Sequence, residues 1–291
     1  MPELDGKKAK LEAIVAQFDS VAVAYSGGVD STFLLAVCLD VLGRDRVLAV
    51  TSESPMIARS ELEHACAQAA ALKARHLVLP HDQLADPDVV ANRPDRCYHC
   101  KLSICRALLE AAQHRGIAHV LLGENADDDQ DYRPGSRAAA EMSLRAPLRE
   151  AGLAKAEIRL LSRERGLPAW DRPASPCLAT RFPYGTPLSA EGLARVEAAE
   201  AALLAAWGPI QLRVRDHFPV ARLEVPPEQI AQLARPETRA LAVEHLRALG
   251  YRYVTLDLTG YRMGSQNESL WPHGHSHLAT TPAVRDRRGL S

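Results

Sequence analysis

The first half of the chain alternates short apolar runs with longer amphipathic stretches. The apolar runs have the length of buried strands and lie at 21–25, 46–51, 76–79 and 118–123. The stretches with helical spacing lie at 8–18, 32 to about 41, 60–73, 98–113 and 153–165, and a polar loop is expected over 82–96. Strands that alternate with helices in this way predict a parallel, doubly wound α/β sheet. A ligand of such a sheet binds at the carboxyl ends of the strands.

The pattern changes after Pro168. Prolines and a glycine interrupt 169–186, which has no hydrophobic period and is interpreted as an ordered loop crossing between two domains. Alternating polar and apolar residues at 211–215 and 221–225 predict an antiparallel hairpin. With helices at 189–207, 227–234 and 236–249 and a strand at 253–258, this hairpin forms a small α+β unit. The predicted division is an α/β domain over 1–168, a linker loop over 169–186, an α+β domain over 187–272 and a mobile tail over 273–291.

The composition is that of an ordinary globular protein: 291 residues, of which 47% are apolar and 24% are charged. The formal net charge of −1 provides no overall basic field, which argues against nucleic acid as a partner. No apolar run approaches the roughly 20 residues that cross a bilayer, and the first residues lack a signal-peptide core. We therefore expect a cytoplasmic protein without a membrane partner, whose six cysteines stay reduced.

A glycine-rich turn, Ser26-Gly27-Gly28-Val29-Asp30-Ser31, stands between the first strand and the helix that follows it. Such a turn aims backbone N–H groups and the positive end of the helix dipole at one point, which suits a phosphate. Its two glycines leave the backbone open and its two serines add hydroxyl donors. The carboxylate of Asp30 fits beside a phosphate if it holds Mg²⁺, or if it caps the helix. The alternative is a plain connection between strand and helix.

Polar residues also follow two other predicted strands. Ser52 lies at the end of the second strand, and Glu124-Asn125-Ala126-Asp127-Asp128 follows the fourth. Because the carboxyl ends of parallel strands meet at one edge of the sheet, these residues and the turn should open onto one crevice. Asp127 and Asp128 have an alternative role as helix caps. Opposite a triphosphate, they are suited to hold Mg²⁺ together with Asp30.

Two cationic side chains are candidates for the phosphates of a nucleotide. Arg133, within Asp131-Tyr132-Arg133-Pro134-Gly135, can bind phosphate through two donors, or it can pair with a neighbouring carboxylate. Lys155 and Arg159 are four apart and share one face of a predicted helix. The alternative for this face is exposure to solvent.

The cysteines with chemical interest lie in two places. Cys97 and Cys100 are three apart on a predicted helix and can share a face, as metal ligands often do. A single pair of this kind lacks the four ligands of a mononuclear zinc site, and it lacks the thioredoxin context of a redox pair. Cys177 lies in a loop rich in helix breakers, near cationic residues, which makes it a candidate nucleophile. The alternative is a small buried thiol.

Several motifs occur in a fixed order. They are the turn at 26–31, Asn92…Arg96-Cys97-Tyr98-x-Cys100-Lys101, Gly123–Asp128, Asp131–Gly135 and Ser175-Pro176-Cys177-Leu178-Ala179-x-Arg181. The turn resembles the PP-loop of the ATP pyrophosphatases, Ser-Gly-Gly-x-Asp-Ser, and does not match the Walker pattern. The whole set, from about residue 10 to 270, resembles the LarE family of ATP-dependent sulfur transferases, which help to build the nickel-pincer cofactor of lactate racemase.

This resemblance implies a reaction in two stages. ATP adenylates a carboxylate of a pyridinium dicarboxylate mononucleotide and releases pyrophosphate. The thiolate matching Cys177 then attacks the acyl-adenylate and AMP leaves. Cleavage of the cysteine Cβ–S bond gives a thiocarboxylate and leaves dehydroalanine. The ATP-binding residues that the resemblance and the turn together imply are Ser26, Gly27, Gly28, Asp30, Ser31, Ser52, Asn125, Arg133 and Lys155.

Some family members instead carry the sulfide on a [4Fe–4S] cluster held by three cysteines. Here Cys97, Cys100 and Cys177 are the matching residues, provided that the loop folds over the helix. The sequence leaves both mechanisms open, with the sacrificial cysteine favoured.

The hairpin carries the predicted substrate site. Arg213 and Arg215 are two apart on a strand, so their side chains point to the same side. We expect them, together with Arg181, to bind the substrate phosphate or its second carboxylate, with Glu224 orienting one guanidinium. The alternative is a solvated charged face. The resemblance also implies that the C-terminal domain serves substrate binding and assembly into a homo-oligomer, with a hexamer favoured.

Three other functions fit parts of the pattern. A tRNA-thiolating PP-loop enzyme also pairs this loop with cysteines, but the near-neutral charge argues against it. An amide-forming ligase of the NAD or GMP synthetase type would need no cysteine. A nucleotide sensor without catalysis would not need Asp127, Asp128 and Cys177 together.

Overall fold

The computed structural model describes residues 2–130, 134–142, 144–173, 175–262 and 264–270. The strands of its larger sheet are β1 (Val21–Ala24), β2 (Val47–Glu53), β3 (Arg75–Pro80) and β4 (His119–Leu121). They stand in the order β3-β2-β1-β4, and all three pairings are parallel. The predicted parallel α/β sheet is confirmed. Because β4 returns to the far side of β1, the topological switch point lies beside β1, where ligands of such sheets bind.

Helices cover both faces of this sheet. They are α1 (Pro2–Val15), α2 (Val29–Leu42), α3 (Arg59–Ala71), α4 (Pro87–Val90), α5 (Arg96–Gln113), α6 (Pro134–Glu141), α7 (Pro147–Glu150) and α8 (Lys155–Glu164). Val21 and Val23 of β1 face the apolar cluster formed with α1, α2 and α8, whereas Ala22 faces the cluster formed with α5. Burial on both faces explains why β1 is a continuous apolar run rather than an alternating one.

The C-terminal part has a second, three-stranded sheet. Its elements are α9 (Ala190–Trp207), β5 (Arg213–His217), β6 (Val220–Glu224), α10 (Ile230–Leu233), α11 (Pro236–Ala248) and β7 (Tyr253–Leu256). β5 and β6 form the predicted antiparallel hairpin, and β7 pairs with β6 in parallel. Val214 lies opposite Leu223 on the face that packs into the core, as expected from the alternation.

The polar stretch at 82–96 contains more local structure than its composition predicts. It contains α4, and two aspartates cap its turns: Asp82 accepts from the N–H of Leu84 at 3.0 Å, and Asp86 accepts from that of Asp88 at 2.9 Å. A helix of four residues is too short to show a period of 3.6, which is why the pattern missed it. In the part of the chain that the structure describes, no helix is both long and apolar enough to cross a membrane.

The described residues of the segment 169–186 contact helices on both sides of it in the sequence. Leu178 and Phe182 pack in an apolar cluster with Val89 of α4 and Leu193 of α9. The fully buried Asn92 donates from Nδ2 to the carbonyl oxygens of residues 183 and 186, at 2.9 Å each. The linker is therefore anchored on both parts of the molecule. The domain boundaries at 168 and 187 stay predictions, and the tail at 273–291 lies outside the described residues.

Candidate active site

Two close backbone approaches shape the turn after β1. Gly27 has a φ of 73°, and a Cβ atom there would lie 2.9 Å from the Cα of Ala65 on α3. Gly123, just beyond β4, would place a Cβ atom 2.9 Å from the backbone nitrogen of Ser31. Only glycine fits these two positions without displacing backbone. The turn is therefore held between α3 and the end of β4.

The open N-terminus of α2 points out of this turn. α2 begins after Gly28 without a side-chain cap, so the N–H groups of its first turn have no partner within the helix. The Oγ atoms of Ser26 and Ser31 lie 3.1 Å apart, and the N–H of Gly28 donates to Ser26 Oγ at 3.3 Å. Unpaired N–H groups and the positive end of the helix dipole at one point favour an anion such as phosphate.

Asp30, in the first turn of α2, lies within a charged network. Its Oδ2 accepts from Lys155 Nζ at 2.6 Å and from Asn125 Nδ2 at 3.4 Å. Its Oδ1 is buried and has no hydrogen-bond partner among the described residues. Burial raises the pKa of this carboxyl above its ordinary value, and the charge of Asp128 acts in the same direction against Lys155. A buried, unpartnered carboxylate oxygen beside a second carboxylate is suited to a hard cation.

Asp127 and Asp128 also accept hydrogen bonds from backbone N–H groups. Asp128 Oδ2 accepts from the N–H of Asn125 at 2.9 Å, and Asp127 Oδ2 accepts from that of Lys155 at 2.8 Å. Across the described ranges, no group of three or more His, Cys, Asp or Glu side chains is arranged to hold a metal ion. Mg²⁺ at nucleotide sites takes one or two carboxylates together with phosphate oxygens and water. Asp30 with Asp128 fits that requirement without a larger group.

Ser52 lies near the end of β2, and a cleft opens beside it at the ends of β2 and β3. The Oγ of Ser52 is buried and lacks a partner within the described residues. Glu53, Ser54 and His81 line a cleft of about 700 Å³ at the carboxyl ends of β2 and β3. That volume is in the range of small-molecule sites. Arg133, the remaining predicted phosphate ligand, lies outside the described residues.

Cys177 is half-buried at the start of a short 3₁₀ turn in the linker. The N–H of Leu178 donates to the carbonyl oxygen of Met56 at 2.8 Å. The guanidinium of Arg181 donates to the carbonyl oxygens of Pro176 at 2.9 Å and of Cys177 itself at 3.2 Å. The backbone on both sides of the thiol is therefore fixed by bonds that do not involve its sulfur.

Arg181, predicted to bind substrate, has its donors engaged by the protein. Its side chain is 3% exposed, and its Nε and Nη2 donate to the two carboxylate oxygens of Glu200 on α9 at 2.9 and 2.8 Å. Glu200 also accepts from the N–H of Val214 at 2.9 Å. Sequence reasoning did not single out Glu200, because one acid on an alanine-rich helix gives no local signal.

The three predicted cluster cysteines gather around Arg96. Cys97 and Cys100 lie one turn apart at the start of α5, and Cys100 and Cys177 pack against the same apolar cluster. The buried Arg96 donates from Nη2 to Cys97 Sγ at 3.6 Å and from Nη1 to the carbonyl oxygen of Ala179 at 3.2 Å. One side chain thus links the helix with the first two thiols to the linker that carries the third.

The charges of Cys97 and Cys177 affect the pKa of Cys100. Burial raises the pKa of Cys100 to about 12, and the negative charges of Cys177 and Cys97 contribute. Burial lowers the pKa of Arg96, but the same two thiolate charges and its other neighbours outweigh burial and raise it. Three cysteine thiolates would supply three ligands of a [4Fe–4S] cluster only if their sulfur atoms converged. In the arrangement described here, the three thiols do not form a metal-binding group.

Arg213 and Arg215 share one face of β5, as the period of a strand requires. Arg215 donates to Glu224 Oε2 at 2.6 Å and to the carbonyl oxygen of Thr180 at 2.7 Å, so Glu224 orients this guanidinium. Both arginines are buried, which is incompatible with the alternative of a solvated charged face. This face is directed towards the linker, where Arg215 contacts Thr180.

Arg213 differs from Arg215 because, within the described part of the chain, it forms no ion pair. It donates to the preceding backbone carbonyl at 2.7 Å, faces the amide of Gln211, and lies 5.3 Å from the ring centroid of Tyr261. Burial lowers the pKa of Arg213, and the charges of Arg181 and Arg215 act in the same direction, against the opposing charge of Glu200. A buried cation among other cations is suited to an anionic group on a ligand.

Comparison with known proteins agrees with this geometry. The model of the NAD synthase family matches residues 8–86, which include the turn after β1. A protein of Lactiplantibacillus plantarum, the pyridinium-3,5-bisthiocarboxylic acid mononucleotide synthase, is 40% identical over 270 residues, or 93% of this chain and 97% of that protein. An uncharacterized protein of a Synechocystis species is 42% identical over 267 residues, covering 92% and 99% of the two chains. Another, from Methanocaldococcus jannaschii, is 27% identical over 242 residues.

Proposed function

Because the chain belongs to the LarE family of PP-loop enzymes and is an ATP-dependent enzyme, we propose that it transfers sulfur to a carboxylate of a pyridinium dicarboxylate mononucleotide in nickel-pincer cofactor synthesis. The observation that carries the proposal is the occurrence of a phosphate-binding turn, a loop cysteine and a buried arginine pair in one chain with a nearly full-length relative named for such a mononucleotide. Sulfur transfer to tRNA, or amide formation with ammonia, has no comparable support.

We expect a homo-oligomer, with a hexamer favoured, which light scattering can test.

The activation half of the reaction uses the turn and its acidic neighbours. The N–H groups of α2 and the hydroxyls of Ser26 and Ser31 bind phosphate oxygens, and Lys155 neutralises part of their charge. Asp30 and Asp128 are the residues that would hold Mg²⁺, with Asp127 nearby. The ion supplies charge neutralisation for pyrophosphate as it leaves. Ser52 and Asn125 bind the nucleotide at the ends of β2 and β4, and the cleft at β2 and β3 has room for its nucleoside.

The first prediction concerns the spent nucleotide. Carboxylate attack on the α-phosphorus releases pyrophosphate, and thiolate attack on the resulting acyl-adenylate releases AMP, so both should form in amounts that match the product. We therefore expect ion-exchange chromatography of a reaction with ATP, Mg²⁺ and substrate to show AMP and no growth of ADP. ADP and phosphate as the main products would overturn the proposed activation step. Omitting the organic substrate provides the control, since the acceptor is then missing.

The sulfur half of the reaction centres on Cys177. Its thiolate attacks the acyl carbon of the adenylate, the C–O bond to AMP breaks, and a thioester joins the protein to the substrate. Removal of the Cα proton of Cys177 then allows the Cβ–S bond to break. The sulfur leaves with the substrate as a thiocarboxylate, and dehydroalanine stays in the chain. No external reductant is needed, and the enzyme is consumed.

A [4Fe–4S] cluster is the second candidate source of sulfur. The observation that favours it is the gathering of Cys97, Cys100 and Cys177 around Arg96. In this version the three thiolates hold the cluster, which carries the sulfide that is transferred. The two versions differ in the fate of Cys177, which loses its sulfur in the first and keeps it in the second.

The substrate site is proposed at the buried hairpin face. Arg213 carries a desolvated charge without an ion pair, so an anionic group of the substrate would supply the partner that the described residues do not. Arg215 and Glu224 form a fixed pair beside it, at 2.6 Å. The substrate has a phosphate and a second carboxylate, and each is an acceptor of the required charge.

The second prediction concerns Arg213→Gln. A charged hydrogen bond contributes about 1.5–3 kcal/mol, so the Kd of the organic substrate should rise by about 10- to 150-fold, with that of ATP unchanged. Removing one of several neighbouring buried cations should leave the melting temperature unchanged or slightly raised. Arg239→Gln is the matched control, because Arg239 is an exposed arginine on α11 of the same part of the chain. Equal losses for ATP and for the organic substrate would contradict the assignment.

A further inference from the structure

α3 contacts the PP-loop, and Glu61 lies on the face of α3 that makes this contact. Ala65 is the residue of α3 that Gly27 approaches. Glu61 precedes Ala65 by four positions, within the span of α3, and therefore lies on the same helical face, one turn closer to the start of α3. Glu61 is thus placed beside the phosphate-binding turn, where an unpaired carboxylate would repel a triphosphate.

Glu61 pairs with an arginine from the linker. Arg172 Nη2 donates to Glu61 Oε1 at 2.8 Å, and the two side chains are 25% and 22% exposed. Partly exposed ion pairs of this kind contribute little, about 0–1 kcal/mol, so the pair can separate at low cost. The charge of Arg172 also acts on the turn itself. Burial raises the pKa of Tyr25, the residue before Ser26, and Arg172 opposes that rise.

The backbone around Arg172 is held by the helix that also reaches Asp30. Arg159 of α8 donates to the carbonyl oxygens of Trp170 and Arg172 at 2.8 and 2.9 Å. Lys155, one turn earlier on α8, pairs with Asp30 of the PP-loop. One face of α8 therefore connects the phosphate-binding turn to the start of the linker, and Cys177 lies farther along that linker.

We propose that Arg172 exchanges Glu61 for a phosphate oxygen of bound ATP, and that this exchange positions the linker so that the thiol of Cys177 reaches the activated carboxyl. This inference rests on the proposed function and adds a residue that the PP-loop motif does not contain. A guanidinium matches a phosphate better than a single carboxylate oxygen, because it can donate two parallel bonds to an anion of higher charge. Glu61 keeps Arg172 near the turn until the nucleotide arrives.

The test uses two substitutions whose effects should have opposite signs. Arg172→Gln should weaken binding of a non-hydrolysable ATP analogue by about tenfold, as expected for loss of one charged contact. Glu61→Gln removes the competing carboxylate and should tighten that binding severalfold. An ion pair that only stabilises the fold would give losses in both variants. Arg172→Lys keeps the charge and should restore part of the affinity, and it serves if Arg172→Gln fails to fold.

A second readout addresses the position of Cys177. In the Arg172→Gln variant, the yield of thiocarboxylate per pyrophosphate released should fall severalfold, because activated substrate is formed without a well-placed thiol. Arg163→Gln is the control, since Arg163 contacts the same linker by stacking 5.2 Å from the ring centroid of Trp170. Unchanged ATP binding in Arg172→Gln, or parallel losses in both ion-pair variants, would overturn this inference. AMP and pyrophosphate would still form in that case, so the proposed function would stand.

Discussion

Cys177→Ala protein is expected to release pyrophosphate and form the acyl-adenylate from ATP and substrate, but to form no thiocarboxylate. The substitution removes the sulfur and leaves the loop in place, because the bonds that fix this backbone come from Leu178, Arg181 and Met56 rather than from the thiol. We therefore expect complete loss of product with a nearly unchanged melting temperature. Separate assays of pyrophosphate release and of thiocarboxylate by mass spectrometry check both halves.

The mass of the wild-type protein after turnover separates the two sources of sulfur. If Cys177 gives up its own sulfur, the intact protein loses the mass of one H₂S, and tryptic peptides place the dehydroalanine at residue 177. Cys97→Ser and Cys100→Ser should then be nearly neutral. Cys66→Ser provides a matched control, because Cys66 is also half-buried and lies on α3, and it is not among the groups whose charge acts on Arg96.

If a [4Fe–4S] cluster supplies the sulfur, we expect the opposite results for the wild type and the cysteine variants. Protein purified without oxygen should be brown, and Ser at any of positions 97, 100 or 177 should remove the colour and the bound iron. Supplied sulfide should then support many turnovers, with Cys177 keeping its full mass. A colourless protein that turns over while Cys177 keeps its mass would contradict both versions.

Local patterns predicted the larger part of the fold. β1 and β2 are continuous apolar runs because both faces of the sheet are covered, and that run is visible without any tertiary information. The turn at 26–31 was recognisable because two glycines between an apolar strand and a helix are typical of a phosphate-binding turn. The face shared by Arg213 and Arg215 followed from the two-residue period of a strand.

Features that depend on distant contacts could not be predicted in the same way. Glu200 matters because it binds Arg181 and the N–H of Val214, and neither contact leaves a mark in the sequence around it. The pairing of Glu61 with Arg172 joins residues 111 positions apart. The gathering of Cys177 with the cysteines of α5 depends on how the linker packs over Arg96. Such contacts are set by the tertiary fold, so a pattern read along the chain contains no signal for them.

Asp30→Asn is expected to lower the rate of AMP and pyrophosphate formation by a factor of about 10² to 10⁴. Charge neutralisation by a bound metal contributes several kcal/mol to such a step, and each 1.36 kcal/mol corresponds to tenfold in rate. Oδ1 of Asp30 is buried without a hydrogen-bond partner among the described residues. This oxygen can therefore bind a cation in the folded protein. The amide that replaces it cannot supply that charge.

The same substitution should leave the fold intact, which makes the result specific. Burial and the charge of Asp128 raise the pKa of Asp30, so the ionised carboxylate is disfavoured where it stands, and a neutral amide of equal size removes that cost. Lys155 loses its partner but is 37% exposed and can turn to water. We expect a melting temperature equal to or above that of the wild type, and weaker dependence of ATP binding on Mg²⁺. Asp45→Asn, at an exposed site before β2 and away from the carboxyl ends of the strands, is the control. Full activity in the Asp30 variant would place the metal and its charge elsewhere.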